Sequence, residues 1–354
     1  MSPKTTGSTN TYPTTKRTTH VSTSSLRPTT QTSTLPGPTS KYRIMVVGGV
    51  DGQGNRLSDV ELIEHTKKNS NCDKPQSFPY PVIETVSETY DKNTLICGGL
   101  SDDNDARTEC YQYKDTSQIP GNYTWHAGPD RLSLFRYRSS STTLVDGRIW
   151  VFGGDGKSGE STTSEILNPE GQFEFGSGLP EPTQSHCTAN INSTHVFFAG
   201  NGFDPQTQAY IVDTTKEPFN FFKLPPMLYK RFGAACSVIK DPEHPNDYRY
   251  TKLFVAGGNP PDDQLTETYS FMDDKWEIGP VLLRGFRFGG YISNQEGYHY
   301  SFVLIGGEDN ENNQYRDDIM SYNFVTNSFE YMPGKLTTPR GDFGAALHFS
   351  AEEC

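Results

Sequence analysis

Any chemistry in this chain would have to come from charge. Four arginines, Arg138, Arg231, Arg287 and Arg340, recur just ahead of stretches rich in small residues, as in Arg231-Phe232-Gly233-Ala234-Ala235-Cys236. Acids recur in the polar stretches that follow paired glycines: Asp51, then Asp102, Asp103 and Asp105, then Asp155, Asp204, Asp262 and Asp263, and finally Glu308, Asp309 and Glu311. Brought together, the two sets would suit a partner carrying both signs of charge, or a bound cation. The competing reading is that the acids are turn residues, since an Asp side chain bonds its own backbone there. The histidines of the folded part (His65, His126, His186, His195, His244, His299 and His348) are scattered singly. None of the six cysteines lies in a two-residue metal spacing. No metal, cofactor or catalytic residue is therefore expected.

The elements that carry these residues repeat. The hairpin of residues 139–152 turns at Asp146-Gly147, a pair that tolerates the positive φ of a tight turn, and it stops at Gly153-Gly154. Matching endings fall at Gly49, Gly99, Gly154, Gly200, Gly258 and Gly307, at intervals of 50, 55, 46, 58 and 49 residues. Each ending is followed by a polar loop, a third strand such as Ser164-Glu165-Ile166-Leu167, and a large aromatic (Trp125, Phe173 or Phe175, Phe221 or Phe222, Trp276, Phe329). Cys72 holds the aromatic's place in the first repeat. A small-residue strand then opens the next repeat. At 354 residues and 33% hydrophobic content, the chain suits thin sheets packed on one another better than one thick apolar core.

Residues 1–40 are a different polymer, with 21 Ser or Thr, five Pro and almost no apolar side chains. Nothing there offsets the entropy of ordering, so a disordered tail is expected. Its composition fits an O-glycosylated stalk, a plain linker or a transit peptide. The tail carries four positive charges against a chain total of −12, which leaves −16 on residues 41–354 and argues against a nucleic-acid partner. No apolar leader core follows Met1, and no run of eighteen apolar residues suggests a membrane span. Export would then require a start upstream of Met1.

The double glycines, the third strands that often carry Tyr and the downstream aromatics, in that order over residues 42–349, resemble the kelch family. The resemblance implies an all-β, six-bladed kelch-type propeller over residues 41–354, with the acidic loops clustered on one face and the arginines near the same mouth. The chain begins on a double-glycine strand and ends on a small-residue inner strand, so the C-terminal strand is expected to join the first blade and close the ring. Cys97 and Cys110 would lie on neighbouring antiparallel strands, either bridged or as buried thiols. Cys187 and Cys236 would lie on inner strands of successive blades, where Cys serves as a small hydrophobe.

Asn122 and Asn192 head glycosylation sequons. Arg340-Gly341-Asp342 reads either as an adhesion tripeptide or as an ordinary strand entrance. The copper sites of kelch-type oxidases need paired His ligands and a Cys-Tyr cofactor, neither of which is evident here. The expectation is a non-catalytic, monomeric module that binds a protein or glycan outside the cell. The alternatives are a sialate mutarotase-like enzyme acting on a sugar at the channel mouth, or an intracellular substrate receptor.

Overall fold

The protein is represented by a computed structural model that describes residues 42–64, 75–115, 123–156, 160–241, 243–244, 247–293, 302–310, 312 and 314–349. The tail at 1–40, Cys72, Cys354, Glu311 and Asn122 lie outside the described residues. Six antiparallel blades surround a channel, and in blades 2 to 6 the strands follow chain order from the axis outward. Blade 2 comprises Val86–Tyr90, Asn93–Cys97, Cys110–Asp115 and Tyr123–Ala127; blade 3 comprises Ser140–Thr143, Ile149–Phe152, Ser164–Leu167 and Phe173–Phe175. Blade 4 comprises Cys187–Asn190, His195–Ala199, Ala209–Asp213 and Asn220–Lys223; blade 5 comprises Ala235–Ile239, Lys252–Ala256, Thr266–Ser270 and Lys275–Ile278. Blade 6 comprises Gly290–Ser293, Phe302–Ile305, Asp318–Asn323 and Ser328–Lys335.

Blade 1 takes its inner strand, Gly344–Phe349, from the C-terminal part of the chain and pairs it with Tyr42–Val47, Met45 facing Ala346. Val60–Ile63 follows on the other side of Tyr42–Val47. The ring is closed as the strand order implied.

The second strands end in runs of apolar residues, such as Ile44-Met45-Val46-Val47 and Leu253-Phe254-Val255-Ala256, because each blade buries both faces. Alternate side chains point opposite ways. Ile44 and Val46 pack with blade 6, and Met45 and Val47 with blade 2. Ile149 and Val151 likewise face blade 2, whereas Trp150 and Phe152 face blade 4. Six hydrophobic clusters result, each filling the wedge between two neighbouring blades. Aromatics of the outer strands anchor these wedges: the Trp276 indole N–H donates to Pro225 O of the adjoining segment at 2.8 Å.

The double glycines serve the same junctions. The N–H of the second residue donates to a carbonyl just ahead of the next blade: Gly49 to Val82, Gly99 to Arg136, Gly154 to Thr183, Asn201 to Arg231, Gly258 to Phe286 and Gly307 to Arg340, all within 2.7–2.9 Å. The first glycine lets that carbonyl approach. A Cβ on Gly48 or Gly257 would lie 2.2 Å from the carbonyl oxygen of Val82 or Phe286, and both glycines have φ +69°. In blade 4 the pair is therefore Gly200-Asn201, one residue displaced from the register expected when Gly200 is aligned with Gly154.

Candidate functional site

Two residues ahead of each inner strand stands a residue with left-handed backbone: Glu84, Arg138, Ser185, Gly233, Phe288 and Asp342, with φ between 50° and 65°. These six form a closed collar at one mouth of the channel. Glu84 N–H donates to Asp342 O (2.7 Å), Arg138 to Glu84 (3.2 Å), Ser185 to Arg138 (2.9 Å), Gly233 to Ser185 (2.8 Å), Phe288 to Gly233 (2.9 Å) and Asp342 to Phe288 (2.7 Å). A left-handed non-glycine residue costs roughly 1–2 kcal/mol, and the hydrogen bond to the next blade offsets much of that. The contact repeated around the collar is made by backbone, so its side chains differ from blade to blade.

Short ribbons surround the same mouth. Val50–Asp51 pairs with Arg340–Gly341, and Leu100–Ser101 with Val82–Ile83. Single bridges join Tyr137 to Asp155 and Arg287 to Glu308. The post-glycine acids thus surround the arginine-bearing segments, but most are consumed locally. Asp103 accepts from Asp105 N (3.2 Å) and from the Ser101 hydroxyl, whose hydrogen bond does most to hold the carboxyl below its usual range. Asp102 is exposed and Asp262 half-buried. Asp155 accepts from the Tyr137 hydroxyl at 3.1 Å. Asp263 and Asp309 are buried; Asp263 accepts from Asn310 N (3.3 Å) and Asp309 from Asn312 Nδ2 (2.8 Å).

The four expected arginines do not form one ring. Arg231 and Arg340 are fully buried, paired with Glu267 (2.6 Å) and Glu61 (2.7 Å) of third strands, and they hold the Gly257 and Gly48 carbonyls. Both are therefore withdrawn as ligand-facing residues. Arg340 within Arg340-Gly341-Asp342 is closed to an adhesion receptor for the same reason.

Their counterpart in blade 3 is Arg136, paired with Glu165 at 2.9 Å, and in blade 6 Arg284, paired with Asp318. Reading the sequence missed both. The signal was present in the acid near the start of each third strand. Arg138 and Arg287 do reach the mouth, bound to Glu84 (2.7 Å) and Glu308 (3.0 Å).

Behind the collar the channel encloses about 870 Å³. Its wall is built from inner strands and is rich in hydroxyls and amides, among them Ser87, Ser141, Thr143, Thr188 and Asn190. One carboxyl stands among them. Glu88 has part of its surface open to the channel but is otherwise enclosed by protein, and this burial pushes its pKa up from 4.5 to about 7. Hydrogen bonds from Ser141 and from Thr143 Oγ1 (3.0 Å) act in the opposite direction without cancelling it. Tyr291 of blade 6 spans to blade 4: its hydroxyl accepts from Thr188 N (2.9 Å) and donates to Thr188 O (3.1 Å).

At the collar, Asp342 is also held well above its ordinary range, first by burial and then by Glu84 and Glu308. Glu84 is side-chain buried, 7% exposed, and its Oε2 has no partner. His186, packed between Phe152 and Phe198, stays neutral because burial lowers its pKa to about 3. The sequence reading missed Glu88, although a glutamate inside the small-residue strand Val86–Tyr90 was a usable signal.

Two disulfides are present among the described cysteines. Cys97–Cys110 joins the second and third strands of blade 2, the bridged form of the pairing raised from the sequence; Cys187–Cys236 joins the inner strands of blades 4 and 5, so these two are bridged rather than separate small hydrophobes. Asn192 is exposed at the far mouth, and its Oδ1 accepts from Thr194 N (2.8 Å) and Thr194 Oγ1 (3.0 Å). No described helix is long and apolar enough to cross a membrane.

No model of a protein family matches the chain. Beta-scruin of Limulus polyphemus is 30% identical over 166 residues, which is 45% of this chain and 18% of beta-scruin. The match thus spans less than a fifth of that relative. Among solved structures, YjhT superposes with a TM-score of 0.62 at 15% identity, covering 84% of this chain and 98% of YjhT. At that identity the likeness establishes the fold. It also corrects one expectation: the ring is one that YjhT shares and does not set a binding module apart from an enzyme, so the reading of the chain as non-catalytic does not stand.

Proposed function

From the premise that this chain is a six-bladed kelch-type propeller, we propose that its channel binds a reducing sugar and that Glu88 moves the protons that interconvert the sugar's anomers. The observation that carries this reading is the Glu88 carboxyl, poised at a pKa of about 7 within a hydroxyl-lined cavity. A catalytic acid or base works best when its pKa lies near the operating pH. Ring opening of a hemiacetal takes a proton from the anomeric hydroxyl and gives one to the ring oxygen. Both oxygens sit on one carbon, at a spacing close to that of a carboxyl group's oxygens. Protonated Glu88 donates from one oxygen to the ring oxygen while its other oxygen accepts the hydroxyl proton. The carboxyl leaves the step protonated, and the freed aldehyde rotates and recloses by the reverse transfer.

The surrounding hydroxyls and amides fit a polyhydroxylated ligand, because a sugar leaves polar groups that must be paired once desolvated. Such a ligand is one form of the glycan partner expected from the sequence. Exchange spectroscopy on sugar anomers tests the reading: added protein accelerates exchange, and Glu88→Gln abolishes the acceleration without unfolding the chain. An unchanged rate in that variant would refute it. The two disulfides support export to an oxidising compartment. Mass spectrometry of the native protein before and after reduction, with a search for glycan on Asn192, tests that part.

A further inference from the structure

Given the sugar-binding reading above, on which this rests, we infer that Tyr291 decides which sugars reach Glu88: its ring covers the blade 5 side of the channel and forms the wall against which a pyranose is held. The ground is an asymmetry in the channel. Among the described residues, the inner strands of blades 1, 2, 3, 4 and 6 all line the cavity, but the strand Ala235–Ile239 of blade 5 does not. The described lining residues of blade 5 are Gly233 and Ala234 at the collar and Lys240 at the far mouth. Every residue of that strand is buried, whereas Ser141 and Thr143 of blade 3 and Ser87, Glu88 and Thr89 of blade 2 keep part of their surface open.

Tyr291 is what covers it. The half-buried side chain leaves the blade 6 inner strand, passes over blade 5 and ends on blade 4, where its hydroxyl accepts from Thr188 N at 2.9 Å and donates to Thr188 O at 3.1 Å. It packs on the cluster that holds Cys187 and Cys236, whose disulfide is wholly buried. Small side chains such as Ala235 and Cys236 leave a trough, and the ring fills it. The two bonds of the hydroxyl pair backbone groups on the channel edge of blade 4 and fix the ring at its far end. Burial pushes the phenol's pKa up, so it stays neutral. Around the collar, blade 5 stands opposite blade 2, which carries Glu88. Glu88 is close enough to act on the phenol electrostatically. The open part of the channel thus lies between the Tyr291 ring and Glu88. A pyranose has a face of C–H bonds and an edge of hydroxyls; with the first on the ring, the second meets Glu88 and the hydroxyls of blades 2 and 3. A bulky substituent meets a ring that is tethered at its tip and packed from beneath.

The test uses the unmodified full chain, Tyr291→Ala and Tyr291→Leu, the last keeping an apolar side chain too short to reach Thr188 in case the alanine variant fails to fold. Anomer exchange by proton NMR is measured for glucose, galactose and xylose and for the bulkier N-acetylglucosamine. In parallel the native disulfides are reduced with a phosphine and followed by mass spectrometry. Truncation is expected to raise kcat/KM for N-acetylglucosamine, relative to the best of the small sugars, by about tenfold or more. It also opens Cys187–Cys236 to the channel, so that bridge is reduced about tenfold faster while Cys97–Cys110 keeps its rate. A sugar ratio unchanged in every variant that folds, or an unchanged rate for Cys187–Cys236, overturns the inference and leaves the proposed acid–base function standing. Acceleration of no sugar by the unmodified chain overturns both.

Discussion

The blade junctions and the channel wall are six copies of the same elements, yet they use charge in opposite ways. At four of the junctions a buried arginine is answered by a carboxylate from within the chain: Arg136 by Glu165, Arg231 by Glu267, Arg340 by Glu61 and Arg284 by Asp318. In the channel wall, carboxyls are buried without a full set of partners, Glu88 and Asp342 with raised pKa values and Glu84 with a vacant oxygen. The junctions repeat because each blade must meet the next in the same geometry. The wall varies because the contacts repeated around the collar are backbone hydrogen bonds. Charge that is answered builds the ring, and carboxyls buried without a full set of partners hold their protons to higher pH.

The contrast breaks most readily at a junction. Arg231→Ala leaves Glu267 buried without its partner and is expected to cost about 3–5 kcal/mol in urea denaturation; a loss below about 1 kcal/mol would show that the pair does not support the junction. The next effect is in the wall and has the opposite sign. Glu88 has a folded pKa of about 7 against 4.5 unfolded, so the folded state binds the proton more tightly and stability falls as pH rises from about 4.5 through 7. Glu88→Gln should therefore stabilise the protein by up to about 3 kcal/mol at pH 8 and change little at pH 4. Melts at the two pH values check this, and an equal shift at both would contradict it.

Asp342→Asn should act in the same direction, with gain at neutral pH and none below about pH 4. Asn accepts the left-handed φ of 56° at that position. The smallest change is expected for Arg138→Ala. Its side chain is 40% exposed, and the loss should stay within about 1 kcal/mol. A loss as large as that of Arg231→Ala would erase the distinction between junction and mouth.

The blades, their number and the closing strand were legible from Gly-Gly spacing and from where an inner-type strand falls in the chain. Those features are local or depend only on strand order. The arginines were harder. Arg138 and Arg136 are two residues apart, and only the fold reveals that the earlier one occupies the place of Arg231 and Arg340. In blade 4 a single asparagine in place of the second glycine shifted the apparent register, and only the Asn201 hydrogen bond to Arg231 restores it.

Taken alone, the sequence determined that the chain makes thin sheets with both faces buried, since continuous apolar strands ending in Gly-Gly permit little else. Tertiary structure alone decided which charges are neutralised, because a partner for Arg340 lies 279 residues away at Glu61. It also decided that Glu88 becomes a titrating group near neutrality. A pKa depends on what surrounds a carboxyl in space, and here the surroundings are supplied by other blades.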